Sequence, residues 1–195
     1  LAKSFSALEF KVQIEEKRDL TLANYSSYLL NINRLLLWKK LTGGEKYLSR
    51  EEIKHLPLEK KGELFRDWIG ENCDKIPALN LSLDLSRIGL TYLPPEIFQL
   101  SQLQALDLSQ NQLTALPIEI GQLSQLQWLN LSQNQLTSLP AEIGQLSQLA
   151  WLYLSQNQLV SLPAEIEQLS QLQTLELTEN PLKNIAEKIR QRFQL

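Results

Sequence analysis

The sequence predicts an α/β solenoid, and three observations carry that reading. From Leu103 to Gln171 one unit of 23 residues is written three times in succession, as LQALDLSQNQLTALPIEIGQLSQ, LQWLNLSQNQLTSLPAEIGQLSQ and LAWLYLSQNQLVSLPAEIEQLSQ. A fixed period in this range marks units that cannot bury their apolar side alone, so that neighbours must stack into a continuous core. Within the middle unit Leu129 and Leu131 alternate with Trp128, Asn130 and Ser132, the period-2 pattern of a short strand with one buried face. An Asn then recurs at one fixed place, as Asn111, Asn134, Asn157 and Asn180. Its side chain both donates and accepts, so a stack of such residues can satisfy backbone groups that the turn away from the strand would leave buried and unpaired.

The elements follow in chain order. In residues 1–20, Leu8, Phe10, Val12 and Ile14 alternate with Glu9, Lys11 and Gln13 as a strand would, yet the EEKRD that follows suits a solvated helix, and helix is the reading adopted. From about Thr21 to Leu41, Leu22, Tyr25, Leu29, Ile32 and Leu36 recur at helical spacing, and Gly43-Gly44 ends the run. Ser49-Arg50-Glu51-Glu52 has the form of a capping box, opening a short helix that Pro57 closes. A further helix is expected over Leu58 to Ile69, with Leu64, Phe65, Trp68 and Ile69 apolar and Gly70 as its stop.

Leu79, Leu81, Leu83 and Leu85 alternate with polar residues and bring the chain into the repeats; Ile88 stands where later units carry the Asn. Each unit then turns back through a segment such as Leu136, Leu139, Ile143 and Leu146, where Pro140 and Glu142 suit the start of a short helix or 3₁₀ turn, as do Pro117 and Pro163. Beyond Asn180 the pattern decays into an amphipathic helix over Lys183 to Phe193, with Ile185, Ile189 and Phe193 on one side and Glu187, Lys188, Arg190 and Arg192 on the other.

The pattern LxxLxLxxNxLTxLPxEIGxL resembles the leucine-rich repeat, in the 23-residue LPxEI variety of intracellular Ras-group proteins and bacterial effector-like proteins, from Leu83 to about Leu182. The resemblance implies a right-handed arc with a parallel β-sheet on its concave face, where partners usually bind; it implies no particular partner. The expected organisation is a helical amino-terminal cap region over residues 1–77, about five repeats over 78–182, and a carboxyl-terminal capping helix over 183–195, the caps covering leucines that a bare solenoid end would expose.

Equal positions in successive repeats form ladders across the sheet. The outward ladders are Ser82, Ala105, Trp128, Trp151, Thr174 and then Asp84, Asp107, Asn130, Tyr153, Glu176, with Arg87, Gln110, Gln133, Gln156, Glu179 at the strand end. Trp128, Trp151 and Tyr153 therefore gather into one patch, with Asp84, Asp107, Glu176 and Glu179 around it and Asn130, Gln133 and Gln156 beside it. The strand period leaves those rings no place in the core, and Trp and Tyr are frequent interface anchors. The patch is expected to bind a protein or peptide with an apolar anchor and a basic rim, unless the rings merely stack on one another or an adjoining repeat shades them. Asp84 and Asp107, side by side on neighbouring strands, could raise each other's pKa, but paired acids on a sheet are more often a solvated rim than a catalytic dyad or cation site, and the rim is the reading adopted.

Other classes fare badly. With His55 the only His and Cys73 the only Cys, no metal centre of Cys and His can be assembled, no Ser-His-Asp arrangement stands out, and there is no phosphate-binding glycine loop. Neither metal nor cofactor is expected, and the chain is read as non-catalytic. Net charge is −3, and no Lys or Arg lies between Arg87 and Lys183, so the sheet has nothing to neutralise phosphates and nucleic acid is not expected as a ligand. Cys73 cannot form an internal disulfide, and Asn130, which opens an N-x-S pattern as Asn24 and Asn80 do, would place a glycan on the sheet face. With no signal peptide or spanning run, a monomer away from membranes is expected, in the bacterial cytoplasm or, if secreted, in a host cytosol. The chain begins at Leu1 and holds no Met, which suggests part of a longer product.

The function expected is a non-catalytic protein-interaction module, with a bacterial effector-like role implied by the resemblance alone. The alternative is the targeting part of a larger enzyme or a ubiquitin-ligase adaptor, since His55-Leu56-Pro57-Leu58-Glu59 followed by Phe65 and Trp68 faintly resembles the opening of an F-box. A purely structural or self-associating repeat protein is the third reading.

Overall fold

The repeat leucines dictate a parallel stack. In the computed structural model, which describes residues 22–41, 43–72, 82–183 and 185–194, five strands pair in chain order: β1 (Ser82–Asp84), β2 (Ala105–Asp107), β3 (Trp128–Asn130), β4 (Trp151–Tyr153) and β5 (Thr174–Glu176). All four pairings are parallel and unshifted, so Leu83, Leu106, Leu129, Leu152 and Leu175 form one inward row. Every residue of that row is buried. A one-residue slip would turn the whole row to solvent, which is why the register follows so directly from the pattern.

The chain returns from each of the first four strands through a 3₁₀ turn: η1 (Pro95–Gln99), η2 (Ile118–Gln122), η3 (Ala141–Gln145) and η4 (Ala164–Gln168). Pro117, Pro140 and Pro163 sit one residue before their turns, in extended backbone, rather than inside them. Ile97, Ile120, Ile143 and Ile166 close the core from this side.

The Asn row joins the repeats. Asn134 Oδ1 accepts the Leu113 N–H at 3.0 Å, while its Nδ2 donates to the carbonyls of Leu108 at 2.9 Å and Leu131 at 3.0 Å. Asn157 repeats the arrangement on Leu136, Leu131 and Leu154. Asn111 accepts from three amides of the first repeat, those of Ile88, Gly89 and Leu90. That repeat has Ile88 in the Asn position and Gly89 at φ 81, a conformation that Gly adopts without steric cost.

Four helices precede the sheet: α1 (Leu22–Lys40), α2 (Gly44–Leu48), α3 (Glu51–Lys54) and α4 (Leu58–Asn72). Three differ from the sequence reading. The glycine pair does more than end α1, because Gly44 opens α2 and packs so closely on Trp38 that a Cβ would collide with the Trp38 carbonyl. No capping box forms at α3; the Ser49 Oγ turns back to the Glu45 carbonyl at 2.6 Å, claimed by the preceding helix. Gly70 does not stop α4, which runs on to Asn72, since nothing there demands a left-handed residue.

The helices share one apolar core with the repeats. Leu37, Trp38, Leu41, Phe65 and Ile69 are continuous with the strand and turn leucines, and α4 packs against η1. Trp38 lies 5.1 Å from the Tyr47 ring, 5.4 Å from Phe65 and 5.7 Å from Trp68, centroid to centroid. Polar residues complete the junction. Arg34 donates from Nε to Glu96 Oε1 at 2.9 Å, its Nη2 stands 2.8 Å from the same oxygen, and both side chains are nearly sequestered from water. Asn33 bonds both the hydroxyl and the amide of Thr91. The buried residues of α1 are therefore Asn31, Asn33, Arg34, Leu37 and Trp38, with Leu41 just past its end, while Leu29, Ile32 and Leu36 are only half-buried.

At the other end, α5 (Glu187–Phe193) begins later than the expected Lys183 and buries Ile189, with Ile185 and Phe193 beside it. Arg192 donates to the carbonyls of Ser170 and Leu172 at 3.2 and 2.7 Å. Among the described residues no helix is long and apolar enough to cross a membrane. The expectations for residues 1–20, Cys73, Leu79, Leu81 and Asn80, and for the side chains of Leu22, Asn24 and Tyr25, lie outside what is described.

Candidate partner-binding face

Each three-residue strand sends its first and last side chains outward. The register sets Trp128 beside Trp151 and Asn130 beside Tyr153. Trp151 keeps 36% of its surface exposed, and Trp128 and Tyr153 are half-buried. Tyr153 leans diagonally onto Trp128, with ring centroids 5.8 Å apart and planes tilted by 52°. Diagonal neighbours on adjacent strands are within reach of large rings, so part of the burial of Trp128 is mutual. None of the three rings enters the core. Stacking and exposure coexist here: one pair is preassembled and Trp151 stands free beside it.

The second outward row behaves differently from a row of loose acids. Asp84 Oδ1 accepts the Ser86 N–H at 2.8 Å, Asp107 Oδ1 that of Ser109 at 2.9 Å, and Asn130 Oδ1 that of Ser132 at 3.0 Å. A short side chain oxygen two residues before a free N–H closes the turn locally. A mutual elevation of pKa is not what Asp84 shows. The Ser86 hydroxyl and then its backbone N–H hold Asp84 below the ordinary carboxylate range; burial opposes them, and the nearby charges of Lys40 and Arg87 add to the depression. Hydrogen bonds to the charged form favour it over the neutral acid. Lys40, at the end of α1, is thus a neighbour of this face that pattern reasoning on the repeats alone did not reveal.

At the strand ends Arg87, Gln110, Gln133, Gln156 and Glu179 all take positive φ, between 56° and 59°. Their side chains are exposed. Their backbone carries the stack, since Gln110, Gln133 and Gln156 donate to the carbonyls of Ser132, Ser155 and Thr178, each at 2.9 Å. The left-handed conformation costs an L-residue energy; the only hint in the sequence is the position itself, just before the ladder Asn where the chain must leave the sheet. Gln156 Nε2 also donates to Glu179 Oε1 at 3.0 Å, and the Thr178 hydroxyl donates to Glu176 Oε1 at 3.1 Å. The β5 end therefore carries two carboxylates, whereas the single carboxylate of the β1 end is bonded to Ser86 and has Lys40 and Arg87 in its neighbourhood.

Leu58 and Phe65 of the F-box-like stretch are buried in the core, and Trp68 packs on Trp38. These three side chains help hold the helices together, while His55, Pro57 and Glu59 of the same stretch are exposed. Among the described residues no group of three or more His, Cys, Asp or Glu could hold a metal ion.

A family profile described as leucine rich repeat matches residues 81–136 and 131–182, together more than half of the chain. The solved structures to which the chain is similar include two of different origin. One is an LRR protein of Leptospira interrogans, at 53% identity over 53% of this chain and 27% of that one, with a TM-score of 0.49. The other, from the BIR3–SERK2 complex of Arabidopsis thaliana, is 32% identical over 56% of this chain and 61% of that one, with a TM-score of 0.50. The chain thus spans less than two thirds of either. No curated protein matches it.

Proposed function

The chain belongs to the leucine-rich-repeat family, and from that premise we propose that its concave sheet face binds a protein or peptide through Trp128, Trp151 and Tyr153. Leucine-rich repeats are generally protein-interaction modules. The observation that carries the proposal for this chain is the placement of three large rings outside the core on two adjacent strands. Such rings desolvate a large area at small entropic cost, and interface energy concentrates in a few anchors of this kind. The matching Arabidopsis chain is recorded in a complex, which fits the same use.

The rim selects charge. No cation lies between Arg87 and Lys183, while Asp107, Glu176 and Glu179 stand beside the rings, so the partner carries an apolar anchor flanked by Lys or Arg. Such complementarity governs encounter and orientation more than raw affinity. On this reading α1 to α4 and α5 cap the two ends of the solenoid, and the lone Cys73 suits a reducing compartment.

The test is affinity capture from cell lysates with the intact protein beside a Trp128→Ser, Trp151→Ser double variant, folding being checked by circular dichroism. A protein retained by the first and lost by the second places recognition on this face. Identical retention by both sinks the assignment of these rings.

A further inference from the structure

We propose that the β5 edge of the sheet is a second binding site, which accepts an extended segment as an added parallel strand with basic residues toward its carboxyl-terminal end. The site shares Glu176 and Glu179 with the rim of the concave face but not the aromatic rings, and it is defined by the bonds that join one repeat to the next. In each earlier repeat the same backbone groups reach forward. The Gln104 carbonyl accepts the amides of Gln127 and Trp128, at 2.8 and 3.0 Å, and the Gln127 carbonyl accepts those of Ala150 and Trp151 at the same two distances. Leu85, Leu108, Leu131 and Leu154 each donate to the next strand's last residue at 2.8 or 2.9 Å, and the left-handed residues donate beyond it.

At β5 the corresponding groups are the Gln173 carbonyl and the amides of Leu177 and Glu179. Among the described residues none of these three has a backbone partner. Strand edges with unspent donors and acceptors are templates for pairing. The start of this edge is a groove of about 300 Å³, with Gln173, Thr174 and Glu176 on one wall and Arg192 and Phe193 on the other. The helix α5 therefore covers the leucines of the last repeat while leaving the edge of its strand open.

Charge decides what fits. Arg192 stands where an added strand would begin, and Glu176 and Glu179 project where it would continue. A second copy offering its own β5 would set these carboxylates against themselves, and like charges on paired strands are unfavourable. The occupant is instead a peptide segment of a partner, acidic or neutral where it meets Arg192, basic opposite Glu176 and Glu179, and apolar at the positions between.

The experiment titrates the full chain, labelled with nitrogen-15, with acetyl-Asp-Thr-Val-Lys-Val-Thr-Lys-amide, whose residues would face Gln173 to Glu179. The amides of Leu177 and Glu179 are expected to shift and to exchange more slowly with solvent. The charge-reversed peptide acetyl-Lys-Thr-Val-Asp-Val-Thr-Asp-amide, or a Glu176→Lys, Glu179→Lys variant given the original peptide, is expected to bind about threefold or more weakly, from roughly 0.2–1 kcal/mol per cross-strand charge pair. The Trp128→Ser, Trp151→Ser variant, folded by circular dichroism, is expected to bind as the parent does. Unchanged exchange at both amides overturns the proposal, as does equal binding of the two peptides, loss of binding in the tryptophan variant, or self-association through β5.

Discussion

Replacing Asn134 by Ala tests whether the Asn row joins the repeats or only decorates a turn. The substitution deletes the bond its Oδ1 accepts from Leu113 and those its Nδ2 donates to Leu108 and Leu131, together with a longer one to Ser132 at 3.4 Å. These losses are unequal. The Leu108 carbonyl keeps Asn111 as a donor and the Leu131 carbonyl keeps Asn157, so each forfeits only a surplus bond, while the buried Leu113 amide has no other acceptor. A buried donor left unpaired costs about 1–3 kcal/mol and each surplus bond about 0.5–1 kcal/mol, so the loss is about 2–5 kcal/mol. Asn180→Ala is the internal control. Asn180 is only half-buried and no further repeat leans on it, so water replaces much of what it supplies and the cost is below about 2 kcal/mol. Urea unfolding followed by circular dichroism gives both values, and hydrogen exchange at Leu113 reports the orphaned amide. A cost under about 1 kcal/mol for Asn134→Ala, or one equal to that of Asn180→Ala, would refute the reasoning.

Three further outcomes are expected. Gly44→Ala drives a methyl into the Trp38 carbonyl and costs about 1–3 kcal/mol, whereas Gly70→Ala, with open space at its Cβ, stabilises by roughly 0.5–1 kcal/mol; thermal unfolding of the two variants should move in opposite directions. Glu96→Ala strands the buried Arg34 with Asn31 as a remaining acceptor and costs about 3–5 kcal/mol, while the Arg34→Leu, Glu96→Leu pair costs less, which urea titrations of both variants would show. Asp84 has its folded pKa depressed, so the stability it contributes is present above the unfolded value of about 4 and is lost as pH falls through the folded value; Asp84→Asn should flatten that acid limb, and stability measured from pH 5 downward reads it.

The repeat was legible because burial repeats with it. Leucines that alternate every second residue and recur every 23 fix both the strand face and its register, and they set Trp128 beside Trp151 without reference to any distant residue. The α1–repeat junction was not legible in the same way. Arg34 meets Glu96 across 62 residues, and a charged side chain on a helix reads as solvated until its partner is found. The capping box misled for a local reason, the Ser49 hydroxyl having a nearer acceptor in Glu45. Asp84 and Asp107 were rightly read as neighbours, but each carboxylate takes up the N–H of its own turn, which pattern spacing does not display.

The unshifted register has a consequence for how this face can change. Inward positions of the five strands all carry Leu, while the outward pairs run Ser-Asp, Ala-Asp, Trp-Asn, Trp-Tyr and Thr-Glu. Frame and text are therefore separate: the frame tolerates a whole unit being lost or copied, because the flanking units present the same contacts. Excising residues 126–148 would close the frame again and bring Ala105 beside Trp151 and Asp107 beside Tyr153, dissolving the ring pair while every leucine kept its seat. A recognition surface built this way can be re-edited by recombination one word at a time, with little demand that the fold be found anew.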